Sequence, residues 1–312
     1  MTFKKNLTFI FLFVSLVSYS QQIPQYTHYL LNQFAYNPAV AGSKDCLDIT
    51  LAHRIQWSGF EGAPVTSFGS FNTTLSQDKY GLGYKHAIGL VALRDSYGPF
   101  VRTKLKGAYA YHLPLTKKIL FSMGMFIGIE QINFDASKIT LINYNDDAIN
   151  NSRRSTIFPE FTPGVFLQSD KWFAGATLQQ TVGGKQKAIG TDETVFTRHA
   201  TLMGGLNIPL NDDWSVIPST LFKFSKAAPW AIDVNAMADY KNRFSAGISY
   251  RNTDAVSALI TFKFLNYFQV GYAYDYTLSK IQYGSFNTHE FTLGINPCGY
   301  REEGKYACPT FN

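Results

Sequence analysis

The chain has 312 residues, with 28 basic against 22 acidic side chains, three cysteines and 16% aromatic residues. A formal charge of +6, with no basic cluster joined to a recognised binding motif, excludes a nucleic-acid footprint. No run after the first twenty residues approaches the roughly 18–20 consecutive apolar residues of a membrane-crossing helix, so any crossing must be made by strands.

Lys4 and Lys5 precede an apolar run from Leu7 to Val17 that ends in Ser18-Tyr19-Ser20, the pattern of a secretory signal over residues 1–20. The cut is expected before Gln21 or Gln22, with no cysteine behind it to carry a lipid. Residues 21–44 do not alternate. Tyr26, Tyr29, Leu30 and Phe34 recur at helical spacing before Asn37-Pro38 breaks the run. This segment reads as a plug of a barrel mouth or as a lead-in packed on its rim.

From residue 45 to 296 the pattern has period two, the mark of strands. Fourteen runs are predicted, near 46–54, 64–75, 87–94, 100–113, 119–132, 161–168, 172–179, 198–208, 214–224, 230–240, 243–251, 255–264, 268–276 and 288–296. The fourth is the plainest. Val101, Leu105, Tyr109, Tyr111 and Leu113 share one face, and Arg102, Lys104, Lys106 and His112 share the other. A file of cations suits a wet lumen, and an apolar file ending in tyrosines suits lipid and then headgroups. A soluble sandwich would alternate too. Loop length separates the two, since the long connections, about 133–160, 180–197 and 277–287, follow odd-numbered strands, and Gln77 to His86 is the one exception. Short turns on one side and long loops on the other are a barrel habit. The expected fold is therefore all-β, a membrane-spanning up-and-down antiparallel β-barrel of about 14 strands, with residues 297–312 as a periplasmic C-terminal tail. Both termini are expected in the periplasm.

Inward-facing Arg102, Lys104, Lys106, Arg243, Arg251 and Lys263 would share the lumen with Asp48, Glu130, Asp233, Asp239, Asp275 and Glu290. They form either a salt-bridge filling or a charged channel for an acidic peptide. Arg54-Ile55-Gln56-Trp57-Ser58-Gly59-Phe60-Glu61-Gly62-Ala63-Pro64 falls in the first outside connection. There Trp57 and Phe60 offer rigid apolar area and Arg54 and Gln56 offer donors, a composition suited to holding a protein or to folding into the lumen as a constriction. Arg54, Gln56, Trp57, Phe60, Arg102, Lys104, Arg251 and Asp275 are the candidate partner-binding residues. The six histidines show no metal-ligand spacing and no serine carries a nucleophile-elbow motif, so neither an enzyme nor a cofactor is expected. Asn143-Tyr144-Asn145-Asp146-Asp147 lacks the glycine and glutamate of a calcium loop. Cys46, Cys298 and Cys308 can pair in any of three ways in an oxidising compartment.

Several stretches resemble the PorP/SprF family of outer-membrane proteins of the type IX secretion system. They are Gln33-Phe34-Ala35-Tyr36-Asn37-Pro38-Ala39-Val40-Ala41-Gly42-Ser43, the Arg54–Thr66 stretch, Pro218-Ser219-Thr220-Leu221-Phe222-Lys223, Gly271-Tyr272-Ala273-Tyr274-Asp275, His289-Glu290 and Cys308-Pro309. The resemblance implies a non-enzymatic barrel that binds a secreted adhesin through a type B C-terminal domain and supports its export or anchoring, often in gliding motility. Its partners would be that adhesin domain, other secretion components and outer-membrane lipid. The alternative is a fatty-acid-type transporter of hydrophobic small molecules, which would need a continuous apolar lumen.

Overall fold

The computed structural model describes residues 24–44, 46–77, 84–138, 155–181, 184–186, 194–226, 228–252 and 254–296. Among these, fourteen strands close into one antiparallel barrel: β1 (Asp48–Ile55), β2 (Val65–Gln77), β3 (Lys85–Tyr97), β4 (Phe100–Pro114), β5 (Leu120–Phe134), β6 (Ser155–Gln168), β7 (Trp172–Gln179), β8 (His199–Leu206, continued by Ile208–Pro209), β9 (Trp214–Ser225), β10 (Ala228–Tyr240), β11 (Phe244–Arg251), β12 (Ala255–Phe264), β13 (Phe268–Thr277) and β14 (Thr288–Ile295). Each pairs with its sequence neighbours. The ring shuts where β1 meets β14, from Ile49 opposite Ile295 to Ile55 opposite His289. A small hairpin, Gly184–Gln186 with Thr194–Phe196, lies in the β7–β8 connection.

The two faces are as different as the alternation requires. On β4 and β5 the outward Leu105 and Ile127 are 47% and 56% exposed, while the inward Lys104, Lys106, His112 and Glu130 are buried. Oily residues cover the outside and charged ones fill the inside, the inverse of a soluble core and the arrangement of a barrel in lipid. No helix among the described residues is long and apolar enough to cross a membrane.

The connections explain the rims. At the rim where β1 begins and β14 ends, the turns 241–243 and 265–267 each place two successive residues in the left-handed region, Lys241 and Asn242, then Leu265 and Asn266. This is the hairpin geometry that matches strand twist. Arg243, expected inside a strand, sits exposed in the first of these turns and does not face the lumen, because the hairpin takes one more residue than the alternation suggests. At the opposite rim the connections 56–64 and 278–287 are long.

β6 extends beyond its β7 partner, with which it pairs only from Gly164 to Gln168. The Phe161 carbonyl faces that free edge and accepts from Thr181 Oγ1 at 2.8 Å. Pro159 and Pro163, two residues to either side, therefore turn the same way, so their missing N–H groups cost no bond to β5.

Candidate functional site

Residues 24–44 lie inside the barrel. They contain only a four-residue helix, Gln33–Tyr36, and a 3-10 turn, Pro38–Val40, so the helical spacing of Tyr26, Tyr29, Leu30 and Phe34 reflects packing against the wall more than helix. All four side chains are buried. Tyr26 N donates to Tyr36 Oη (3.0 Å), and Tyr29 Oη bonds Ser219 Oγ of β9 (2.7 Å).

The Asn37–Gly42 stretch seats on glycines. Gly124 of β5 and Gly164 of β6 face one another across their ladder, and with Gly175 of β7 they form a floor under Asn37, Pro38 and Ala39. A methyl group on Gly124 would stand 2.5 Å from Ala39 N. Asn37 closes its own turn by accepting from Ala39 N (3.0 Å), and it donates to the Val165 carbonyl (2.9 Å). At the far end His112 Nε2 donates to the Ala41 carbonyl (2.7 Å), and Asn72 accepts from Gly42 N (2.8 Å).

The near end is held by charge. Arg54 places Nη2 2.7 Å from Asp275 Oδ2 and Nη1 3.1 Å from Glu290 Oε2. The same Nη1 donates to Thr27 Oγ1 (2.8 Å), which itself donates to Asp275. Glu290 accepts from the backbone N–H groups of Thr27 (2.7 Å) and His28 (3.0 Å). One buried arginine and two carboxylates thus bind the plug backbone directly, each partner being stabilised by the others. This set continues through Arg251, which pairs with Asp233 and Asp254, and Lys223, which pairs with Asp233. A second network on the other wall joins Arg102, Lys104 and Lys106 to Glu130 and Glu160. Cations and carboxylates balance across the two networks: Arg54, Arg251, Lys223, Arg102, Lys104 and Lys106 meet Asp233, Asp254, Asp275, Glu290, Glu130 and Glu160. Charges matched in this way leave little field to draw an ion inward.

Burial lifts the Tyr26, Tyr29 and Tyr36 phenols above their ordinary range and holds the His28 imidazole below its usual 6.5, against the opposing pull of Glu290 and Asp275. The unfolded chain therefore takes up the His28 proton first as pH falls. The stability owed to neutral His28 is present above about 6.5 and drains away below it. The detergent-solubilised barrel is expected to unfold at lower temperature at about pH 5.5 than at about pH 7.5, with a smaller drop in His28→Asn. Equal drops in the two proteins would remove His28 as the cause.

The candidate partner-binding residues separate into two groups. Arg54, Arg102, Lys104, Arg251 and Asp275 are spent in the lumen networks. Arg54 in particular is the penultimate residue of β1 and not part of the loop. Gln56, Trp57 and Phe60 belong to the 56–64 loop, which is braced against 278–287. Ser58 N donates to the Asn287 carbonyl (2.7 Å), Phe286 N to the Ser58 carbonyl (2.6 Å) and Trp57 N to Thr288 Oγ1 (3.1 Å). Trp57 and Asn287 both adopt positive φ, 49° and 69°, and the Phe286 ring lies on Gly59. The platform so formed holds Tyr283, Phe286 and Phe60 at 87%, 76% and 48% exposure. Tyr283 and Phe286 are not among the candidates that the sequence offers, because nothing in the 277–287 stretch shows that it meets the first loop.

Cys46 is disulfide-bonded. Cys298, Cys308 and the Asn143–Asp147 stretch lie outside the described residues. No group of three or more metal-ligating side chains occurs among the described residues.

Among solved structures the chain is similar to the toluene transporter TbuX of Ralstonia pickettii, with a TM-score of 0.52 at 11% identity over 84% of this chain and 92% of that one. It is also similar to the toluene transporter TodX of P. putida (TM-score 0.48, 11% identity, 90% and 95% covered) and to the monoaromatic hydrocarbon channel CymD (TM-score 0.48, 11% identity, 85% and 91% covered). At such identity the TbuX likeness shows a shared fold alone. No curated protein matches the chain. The family model described as "Type IX secretion system membrane protein PorP/SprF" matches residues 18–295. With that match over nearly all of the barrel and its plug, the chain belongs to the PorP/SprF family, a non-catalytic β-barrel of the outer membrane.

Proposed function

We propose that this barrel conducts nothing in its resting form and instead holds a secreted cell-surface protein, an adhesin with a type B C-terminal domain, supporting its export or anchoring in gliding motility. In this reading the termini face the periplasm and the 56–64 and 278–287 loops face outward. The observation that carries it is the braced platform. Large aromatics kept in water on a fixed backbone are costly to solvate and cheap to dock, as at the centres of protein interfaces. The plugged lumen, with its two charged networks closed on themselves, fits a binding protein better than a pore. Other secretion components would meet the rim where β1 begins, and lipid the outer wall.

Capture of the adhesin domain by the purified barrel tests this. Tyr283→Ala and Phe286→Ala are each expected to weaken capture about tenfold or more, the loss of a central aromatic anchor, with thermal unfolding unchanged. Undiminished capture by the double variant would overturn the platform as the binding surface.

The likeness of the fold to TbuX, whose name describes a toluene transporter, favours a second reading as a carrier of hydrophobic small molecules. It requires the plug to move. Toluene uptake by proteoliposomes of the unmodified barrel, with no adhesin captured, would favour it over the first.

A further inference from the structure

On the outer wall of β1–β5 a row of polar residues runs strand to strand in register. His53 is opposite Ser67, Ser67 opposite Arg94, Arg94 opposite Thr103 and Thr103 opposite Gln131. His53 Nδ1 and Ser67 Oγ are 3.0 Å apart. On every one of these strands the next outward position or two toward the rim where β1 begins is apolar: Leu51, Phe71, Leu90, Leu105 and Ile129, all at least a third exposed. Beyond the row toward the loops the outward positions are mixed, Ile55, Val65 and Val101 with Ser96 and Asn133, so the row lies in the loop-side fringe of the oily band. Arg94 is exposed within it. The outward positions of β1–β5 carry no carboxylate, and the charged networks lie behind the wall, inside.

A guanidinium beside hydrocarbon is expensive unless an anion meets it at the interface. Its planar fork suits phosphate, and the neighbouring imidazole and hydroxyls add hydrogen-bonding groups along the same line. We propose that Arg94, flanked by His53, Ser67 and Thr103, is a lipid site on the outer wall that takes a phosphate of lipid A in the outer leaflet. Placing it in that leaflet rests on the orientation proposed above.

Full-length protein in mild detergent, titrated with diphosphoryl lipid A and separately with phosphatidylglycerol and read by native mass spectrometry, tests the site. Lipid A is expected to bind in preference. Arg94→Gln should lower its association constant about tenfold, and Arg94→Lys by less. Both variants are expected to fold as the unmodified barrel does, because the Arg94 side chain points away from the packed interior. Equal lipid A binding by Arg94→Gln and the unmodified protein would overturn the site. Arg94-dependent binding of phosphatidylglycerol alone would overturn the lipid A assignment. Adhesin capture measured on the same preparations keeps the two proposals apart, since a barrel that captures normally but shows no Arg94-dependent lipid binding loses this inference only.

Discussion

Arg54→Met is expected to destabilise the barrel by about 3–5 kcal/mol, the usual result of removing one member of a buried ion pair, and to release the near end of the plug. The side chain is 2% exposed and lies against Asp275 and Glu290, both at least as deeply buried. Methionine fills most of the volume but, among the described residues, leaves Glu290 with no cation and Asp275 with Arg251 alone, 3.8 Å away. Glu290 also accepts from the backbone of Thr27 and His28, so any movement by which it escapes its neighbour pulls on the plug. The measurement is unfolding in detergent by heat or denaturant together with limited proteolysis of residues 24–44. Arg54→Met combined with Asp275→Leu should recover part of the loss, because the repulsion between the two carboxylates is then gone and Glu290 remains held by two backbone donors. A single variant as stable as the unmodified protein would show that water reaches the cluster and that the lumen is not sealed.

The same cluster shows what can be read from the chain and what cannot. Period two places Asp275 and Glu290 on the wet face, and places Arg54 on the same side as Asp48 and Thr50 of its own strand. Yet the Arg54–Pro64 motif runs across the end of β1, and reading it as one loop puts Arg54 outside. The structure divides it after Ile55, where the ladder to β14 ends. Alternation tells which face a residue takes but not its height on the wall. Arg54 meets Asp275 and Glu290, 221 and 236 residues away, only because closure of the ring brings β1 beside β14. That is a property of register and of strand number. The first half of β6 is illegible for a local reason. Pro159 and Pro163 argue against a strand, and only the free edge beyond Gly164 makes room for them. Tyr283 and Phe286 belong to a loop whose partner loop is distant in sequence, and no periodicity records such a meeting.

Glycine at inward positions is the other signal that strand reading undervalues, and it leads to a large expected effect. A glycine in mid-strand weakens a sheet unless backbone must approach it closely. Gly124 and Gly164 face one another on β5 and β6, and Gly175 lies diagonally across on β7, where Asn37, Pro38 and Ala39 come down onto the wall. Gly124→Leu cannot be accommodated by a side-chain shift, because the atoms it meets are the backbone of Pro38 and Ala39. The barrel ladder, held by many bonds on both sides of β5, should persist while the plug gives way, losing the Asn37 bond to Val165 and burial along its length. Overpacking of this kind typically costs about 1–3 kcal/mol, and here it falls on one short segment. The unmodified protein is expected to be silent in planar bilayers with residues 24–44 resistant to protease. Gly124→Leu is expected to conduct and to be cut there. Gly107→Ala provides the control, since Gly107 faces outward and a methyl group there meets nothing closer than 3.8 Å. If Gly124→Leu stays silent and resistant, the plug is not seated on the glycine floor in the membrane, and the sealed lumen that distinguishes a holding protein from a channel loses its structural basis.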